Sequence, residues 1–240
     1  MTALDTQPPV HIVTDLFTAL AESSVRPTSF EIYITAPANM RCIDFTPAQL
    51  DSVTTVLARS KDSRFTVHSW ARRNSLAENN DRPKEELAGL CALTRAFFSP
   101  PSLEHMQLRL CDYPCFYETP TISMSDLLPV PLPSTNISDL TFQSVPLKLA
   151  ELRVLVDTMK DRLKSVGWSK PYLLEGDWAD ALGMLRDLSN LERVDFSYPY
   201  GGEYDSHGKG PDVEQKDFGA YILGEVTENP LQRWKTTRCE

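Results

Sequence analysis

A chain of 240 residues, 41% apolar and 24% charged, has an ordinary globular composition and can bury a sizeable core. The formal net charge of −9, with no basic run denser than Arg72-Arg73, argues against a nucleic-acid backbone as partner. No window reaches the roughly 18 apolar residues of a membrane span, so no membrane partner is expected.

The polar opening Met1–Val10 carries Pro8-Pro9 and does not read as a secretory signal. Five scattered cysteines, Cys42, Cys91, Cys111, Cys115 and Cys239, then read as reduced thiols. Together these place the protein inside the cell, in cytoplasm or nucleus. Residues 1–10 are expected to be disordered. Residues 11–198 read as a single α/β repeat domain with a long surface loop at 113–135, and 199–240 as a loop with a closing segment.

Along the chain, Ile12, Val13, Leu16, Phe17 and Leu20 form an apolar stripe at helical spacing. Phe30-Glu31-Ile32-Tyr33-Ile34 alternates like a half-buried strand. Thr46, Pro47 and Gln49 are the cap, first-turn proline and box partner of a helix buried through Leu50, Val53, Val56 and Leu57. Phe65–Trp70 is the second strand and Ala71–Asp81 a loop. A helix from Pro83 presents Leu87, Leu90, Cys91, Thr94 and Phe97 inward until Pro100-Pro101 stops it. Met106–Leu110 is the next strand, and Ser125–Leu128 a single helical turn inside the proline-rich stretch.

Beyond residue 137 one phrase recurs. It reads Ile137-x-x-Leu140-x-Phe142-x-x-Val145-x-Leu147, then Leu163-x-x-Val166-x-Trp168-x-x-Pro171-x-Leu173, then Leu191-x-x-Val194-x-Phe196-x-x-Pro199. An upstream copy is Leu103-x-x-Met106-x-Leu108-x-x-Cys111-x-Tyr113. Helical stretches fill the gaps: Leu149, Leu152, Val156 and Met159 line one, and Trp178, Ala181, Leu182, Leu185 and Leu188 the next, with Asp177 as its expected N-cap. Tyr200–Asp212 reads as a loop and Phe218–Leu223 as a short closing helix or strand.

A strand–helix unit of this length cannot bury its apolar face alone, so stacked units must share a core. The fold class is therefore α/β, an irregular solenoid with a parallel sheet on the concave side and helices outside. The alternative with the same element order is a doubly wound α/β domain. The phrase resembles the leucine-rich repeat, with Cys111 where that motif takes Asn or Cys and Val145 and Pro171 departing from it.

A second resemblance follows from Leu174-Glu-Gly-Asp-Trp-Ala-Asp-Ala-Leu-Gly-Met-Leu-Arg-Asp-Leu and from Ala220-Tyr-Ile-Leu-Gly with Asn229-Pro230-Leu231. Over 103–234 the chain is similar to the C-terminal regions of fungal F-box-type proteins. The resemblance implies an irregular leucine-rich-repeat recognition domain that presents substrates to a ubiquitin ligase. Residues 1–60 contain no Leu-Pro-x-Glu opening of an F-box, so the chain is expected not to bind the ligase's adaptor.

Chemistry is sparse. Cys111-x-x-x-Cys115 lacks zinc-site spacing and a second pair of ligands, and no activating pattern surrounds Cys111, His68 or His105. Glu175, Asp177 and Asp180 read as acids favoured near a helix N-terminus. The glycines at 201, 202, 208 and 210 lack the strand–turn–helix context of a nucleotide loop. No catalytic residue, metal or cofactor is expected.

Function is assigned instead to the strand residues that alternate with the buried ones. These are Glu31, Tyr33, Thr66, His68, His105, Gln107, Arg109, Thr141, Gln143, Arg193 and Asp195. They make the chain a non-enzymatic protein-interaction domain. The alternatives are a small α/β enzyme with a cleft at its strand ends and a structural fragment of a larger F-box-like protein.

Overall fold

The computed structural model describes residues 9–23, 25, 27–35, 46–68, 84–110, 122–204 and 210–232. The elements run α1 (Pro9–Glu22), β1 (Ser29–Thr35), α2 (Pro47–Leu57), β2 (Asp62–His68), α3 (Lys84–Phe97), β3 (His105–Leu110), α4 (Met124–Leu127) and β4 (Asp139–Gln143). They continue with β5 (Pro146–Lys148), α5 (Leu149–Met159), β6 (Ser165–Ser169), β7 (Tyr172–Glu175), α6 (Trp178–Arg186), β8 (Arg193–Ser197), β9 (Tyr200–Gly201) and α7 (Gln215–Ile222). The fold is α/β, built on a parallel sheet. The main sheet has the order β1-β2-β3-β4-β6-β8, every pair parallel, and a second, three-stranded sheet has the order β5-β7-β9. The main order follows the chain without a reversal. The switch-point cleft of a doubly wound sheet therefore has no counterpart in it.

One backbone device repeats at every junction of the main sheet. Two successive amides of each strand start donate to one carbonyl of the strand before. Lys61 and Asp62 donate to Thr28 at 2.8 and 3.2 Å, and Glu104 and His105 to Lys61 at 2.8 Å each. Ser138 and Asp139 then reach Glu104, Lys164 and Ser165 reach Ser138, and Glu192 and Arg193 reach Lys164. This fixes a common register, and the phrase's apolar positions become continuous rows. One row is Ile32, Phe65, Leu108, Phe142, Trp168 and Phe196. Its C-terminal half is aromatic, with ring centroids 6.1 Å apart from Phe142 to Trp168 and 6.4 Å from Trp168 to Phe196.

The helix starts obey their sequence signals in one case and not in another. Thr46 accepts from the Gln49 amide at 3.3 Å while Gln49 Oε1 accepts from the Thr46 amide at 2.9 Å, a complete capping box behind Pro47. Asp177 occupies the N-cap of α6, but its side chain makes no capping hydrogen bond. Glu203 does that work from the following unit: its carboxylate accepts from the Trp178 amide at 2.6 Å and the Ala179 amide at 3.1 Å. The nearly buried Glu151 carboxylate does the same for α4 from the next unit, accepting from Ser123 Oγ at 2.6 Å and the Ser125 amide at 3.0 Å, and it also accepts from the Lys148 amide at the start of its own helix at 2.9 Å.

Several expectations are corrected. The segment after residue 121 is not a surface wrap: Ile122, Met124, Leu127, Leu128 and Leu132 are core residues, because α4 is pinned inward by Glu151. The Tyr200–Asp212 stretch opens on β9 and buries Tyr200, with Tyr204 buried just beyond it; the closing segment, expected as helix or strand, is the helix α7, which packs Phe218 onto Phe196 at 5.1 Å. The α1 stripe divides: Phe17 is buried, while Ile12 and Leu16 are exposed, and among the described residues no strand lies beyond β1 in the sheet. The helix starts at Pro9, two residues inside the stretch expected to be disordered. Trp70, the 71–81 loop, Cys42, Cys111, Cys115 and Cys239 lie outside the described residues.

The step from the main sheet to the small one uses the same turn three times. Ser144, Lys170 and Tyr198, each directly after a main-sheet strand, have φ of 55°, 53° and 54°. The Ser144 amide donates to the Ser169 carbonyl and the Lys170 amide to the Ser197 carbonyl, both at 2.8 Å, so the left-handed residues are held by the next unit. A β-branched side chain is poorly accommodated there. Lys170→Val is expected to lower stability by about 1–2 kcal/mol, and Lys170→Gly to change it by under about 0.5 kcal/mol. Denaturant melts check this; equal losses for both variants would contradict the turn's role.

Candidate functional site

The residues that alternate with the buried rows form one polar face of the main sheet. Parallel register lines them up in three rows. At the strand starts the row is Ser29, Asp62, His105, Asp139, Ser165 and Arg193. The middle row is Glu31, Arg64, Gln107, Thr141, Gly167 and Asp195, and the third is Tyr33, Thr66, Arg109, Gln143, Ser169 and Ser197. Ten of the eleven residues expected on this face are therefore brought onto it with their side chains described. His68 takes its place in the register opposite Thr35, but its side chain lies outside the description.

Within the first row Asp139 is a hub. Its Oδ2 lies 3.0 Å from His105 Nδ1 and accepts from Ser138 Oγ at 2.7 Å, while Oδ1 lies 3.2 Å from Arg193 Nη2. Arg193 also donates from Nε to Ser165 Oγ at 2.9 Å. Four strands are thereby tied together through side chains in contact with solvent. Arg64 forms a two-point pair with Asp62, Nη2 to Oδ2 at 2.9 Å and Nε to Oδ1 at 3.2 Å, and that hydrogen bond holds its guanidinium above its usual pKa.

In the middle and third rows, the Gln107 amide oxygen, turned to satisfy both side chains, accepts from Arg109 Nε at 2.5 Å and Nη2 at 3.2 Å. Asp195 Oδ1 accepts from Gln215 Nε2 at 2.9 Å, which links the face to α7. Glu31, Tyr33, His105, Arg109, Arg193 and Asp195 are exposed, and Gln107, Thr141 and Gln143 are half-buried. Thr66 is the exception, only 5% exposed: it is a short side chain flanked in register by Tyr33 and Arg109. It cannot be a principal contact.

Sequence reasoning missed Asp62, Arg64, Asp139, Ser165, Gly167, Ser169 and Ser197 on this face. The alternation around Leu140, Val166 and Val194 carries most of them. Asp62 and Arg64 escape notice because the first half of β2 is polar and its inward residue is Ser63. That serine is buried against Ser60, the two hydroxyls 3.1 Å apart.

His105 has a carboxylate partner, but no cysteine or serine nucleophile is hydrogen-bonded to it among the described residues. Cys91 is on α3, away from the face, and burial pushes its thiol up to about 11. Among the described residues no group of three or more His, Cys, Asp or Glu is placed to hold a metal ion. No helix of the described residues is long and apolar enough to cross a membrane.

Comparison with known proteins adds no identity. No family model, no curated protein and no solved structure matches this chain.

Proposed function

We propose that the chain is a non-enzymatic protein-interaction domain, an irregular leucine-rich-repeat-like solenoid whose partner lies across the polar face of the six-stranded sheet. One observation carries this reading. Six parallel strands in chain order turn a row-by-row array of polar and charged side chains to solvent. Parallel sheets are ordinarily covered on both faces; among the described residues no element covers this polar one, which supports its use as a surface for a ligand. The array is mixed in charge, with Glu31, Asp62, Asp139 and Asp195 among Arg64, His105, Arg109 and Arg193. Such a mixture suits a protein surface better than a polyanion.

The fungal F-box-type resemblance extends the proposal: the partner is then a substrate presented to a ubiquitin ligase. That extension rests on the quoted residues alone.

The test is a quantitative pull-down with the tagged chain. Arg109→Glu and Asp195→Lys are each expected to weaken capture of the specific partner by about ten-fold or more, as for a charge lost from a desolvated contact. Arg153→Glu, on the exposed side of α5, is expected to leave capture unchanged. Loss with Arg153→Glu and none with the two face variants would place the partner elsewhere.

A further inference from the structure

The three rows of the polar face differ in charge. The starting row holds Asp62 and Asp139, and the middle row Glu31 and Asp195. The third row, Tyr33, Thr66, Arg109, Gln143, Ser169 and Ser197, has no acid, in a chain whose net charge is −9. The cations divide the same way. Arg64 is held by Asp62, and His105 and Arg193 both lie against Asp139. Arg109 is exposed and meets the neutral Gln107 amide; among the described residues no carboxylate is paired with it.

Gln107 also sets the direction of that cation. Its amide oxygen accepts from Nε and Nη2 of Arg109 at 2.5 and 3.2 Å, along one edge of the planar guanidinium. The fork is held in one orientation, with the Nη1 hydrogens and the second Nη2 hydrogen left for a ligand. Gln143 and Ser169, next in register and half-buried, add an amide and a hydroxyl donor. With strands about 4.8 Å apart, the row from Arg109 to Ser197 spans about 14 Å, the length of about four residues of extended chain.

We infer that the partner binds through a short acidic segment laid across the strands along this third row, with an Asp or Glu carboxylate seated on Arg109 and Gln143. The inference rests on the polar face being the binding face and adds the chemistry of what that face takes. Charge complementarity selects the occupant. In the first two rows a carboxylate would meet acids that already hold the local cations, whereas in the third it meets a charged fork and neutral donors. A carboxylate is favoured over a phosphate, because phosphate groups are taken by clusters of arginine and this row has one. A basic segment would find no acid in the row. Gln107 is then a positioning residue for Arg109.

Panning a phage library of random dodecapeptides on the tagged full chain tests it. The selected peptides are expected to be enriched at least about two-fold in Asp and Glu over the unselected library, and synthetic copies should bind more weakly as salt rises. Arg109→Glu and the uncharged Arg109→Gln, with thermal midpoints unchanged at this exposed position, are each expected to weaken those peptides at least about ten-fold. Gln107→Glu gives Arg109 a carboxylate of its own and should weaken them at least about three-fold, while Arg153→Glu on α5 should leave them unchanged. No enriched peptide, peptides without added acid, or acidic peptides that bind the Arg109 variants as well as wild type would each overturn the inference. Peptides without added acid that are lost with Asp195→Lys would leave the binding face standing. Peptides unaffected by either Arg109→Glu or Asp195→Lys would remove the face as well.

Discussion

Leu185→Ala and Leu152→Ala are each expected to cost about 2–5 kcal/mol, the range for deleting a fully buried leucine side chain. Leu185 is 1% and Leu152 0% exposed, on the inner faces of α6 and α5. Neighbouring units share one apolar cluster, so a cavity in one helix removes contacts from the adjacent units as well. Val154→Ala, on the exposed side of α5, is the control, expected to cost under about 0.5 kcal/mol. Urea melts decide it. Losses under about 0.5 kcal/mol for both leucines would take the helices out of the core.

The second large effect separates two buried tryptophans. The Trp178 indole N–H donates to the Tyr200 carbonyl at 3.0 Å and its ring meets Phe196 edge-on at 5.3 Å. The Trp168 indole N–H is buried with no hydrogen-bond partner among the described residues. Replacement by Phe removes the same atoms in both places. At Trp178 it also forfeits a bond of about 0.5–1.5 kcal/mol, whereas at Trp168 it relieves an unmet donor costing about 1–3 kcal/mol. Trp178→Phe should therefore be the more destabilising by roughly 2 kcal/mol. Thermal or urea unfolding showing equal costs, or the reverse order, would contradict this assignment of the two indoles.

What was legible in the sequence is what one unit encodes about itself. The phrase around Leu140/Phe142, Val166/Trp168 and Val194/Phe196 located the strands because alternation is local, and Thr46-Pro47-x-Gln49 located a helix start because all its partners lie within four residues. What was not legible is what units do to each other. The cap on α6 comes from Glu203, some 25 residues downstream, while Asp177 at the expected position makes no cap bond. The strands of the small sheet are two to four residues long, too short to show a period. Their positions depend on left-handed turns at Ser144, Lys170 and Tyr198, where no glycine announces the conformation.

The candidate site divides along the same line. Which residues point away from the core followed from alternation, and His105, Arg109, Arg193 and Asp195 are exposed as expected. That Asp139 would join His105 to Arg193, and that Thr66 would be hidden between longer side chains, required the register between strands. The proline-rich 122–134 segment read as a surface loop because its burial depends on Glu151, contributed by the next helix.

On the proposed reading the partner lies on the polar face of the main sheet. A photo-crosslinking amino acid placed at Gln143, in the third row of that face, tests it against the same group at Val154 on the outer side of α5. Adducts to one specific protein from position 143, and none from position 154, are the expected result. Adducts from position 154 with none from 143 would contradict the assignment of the binding face.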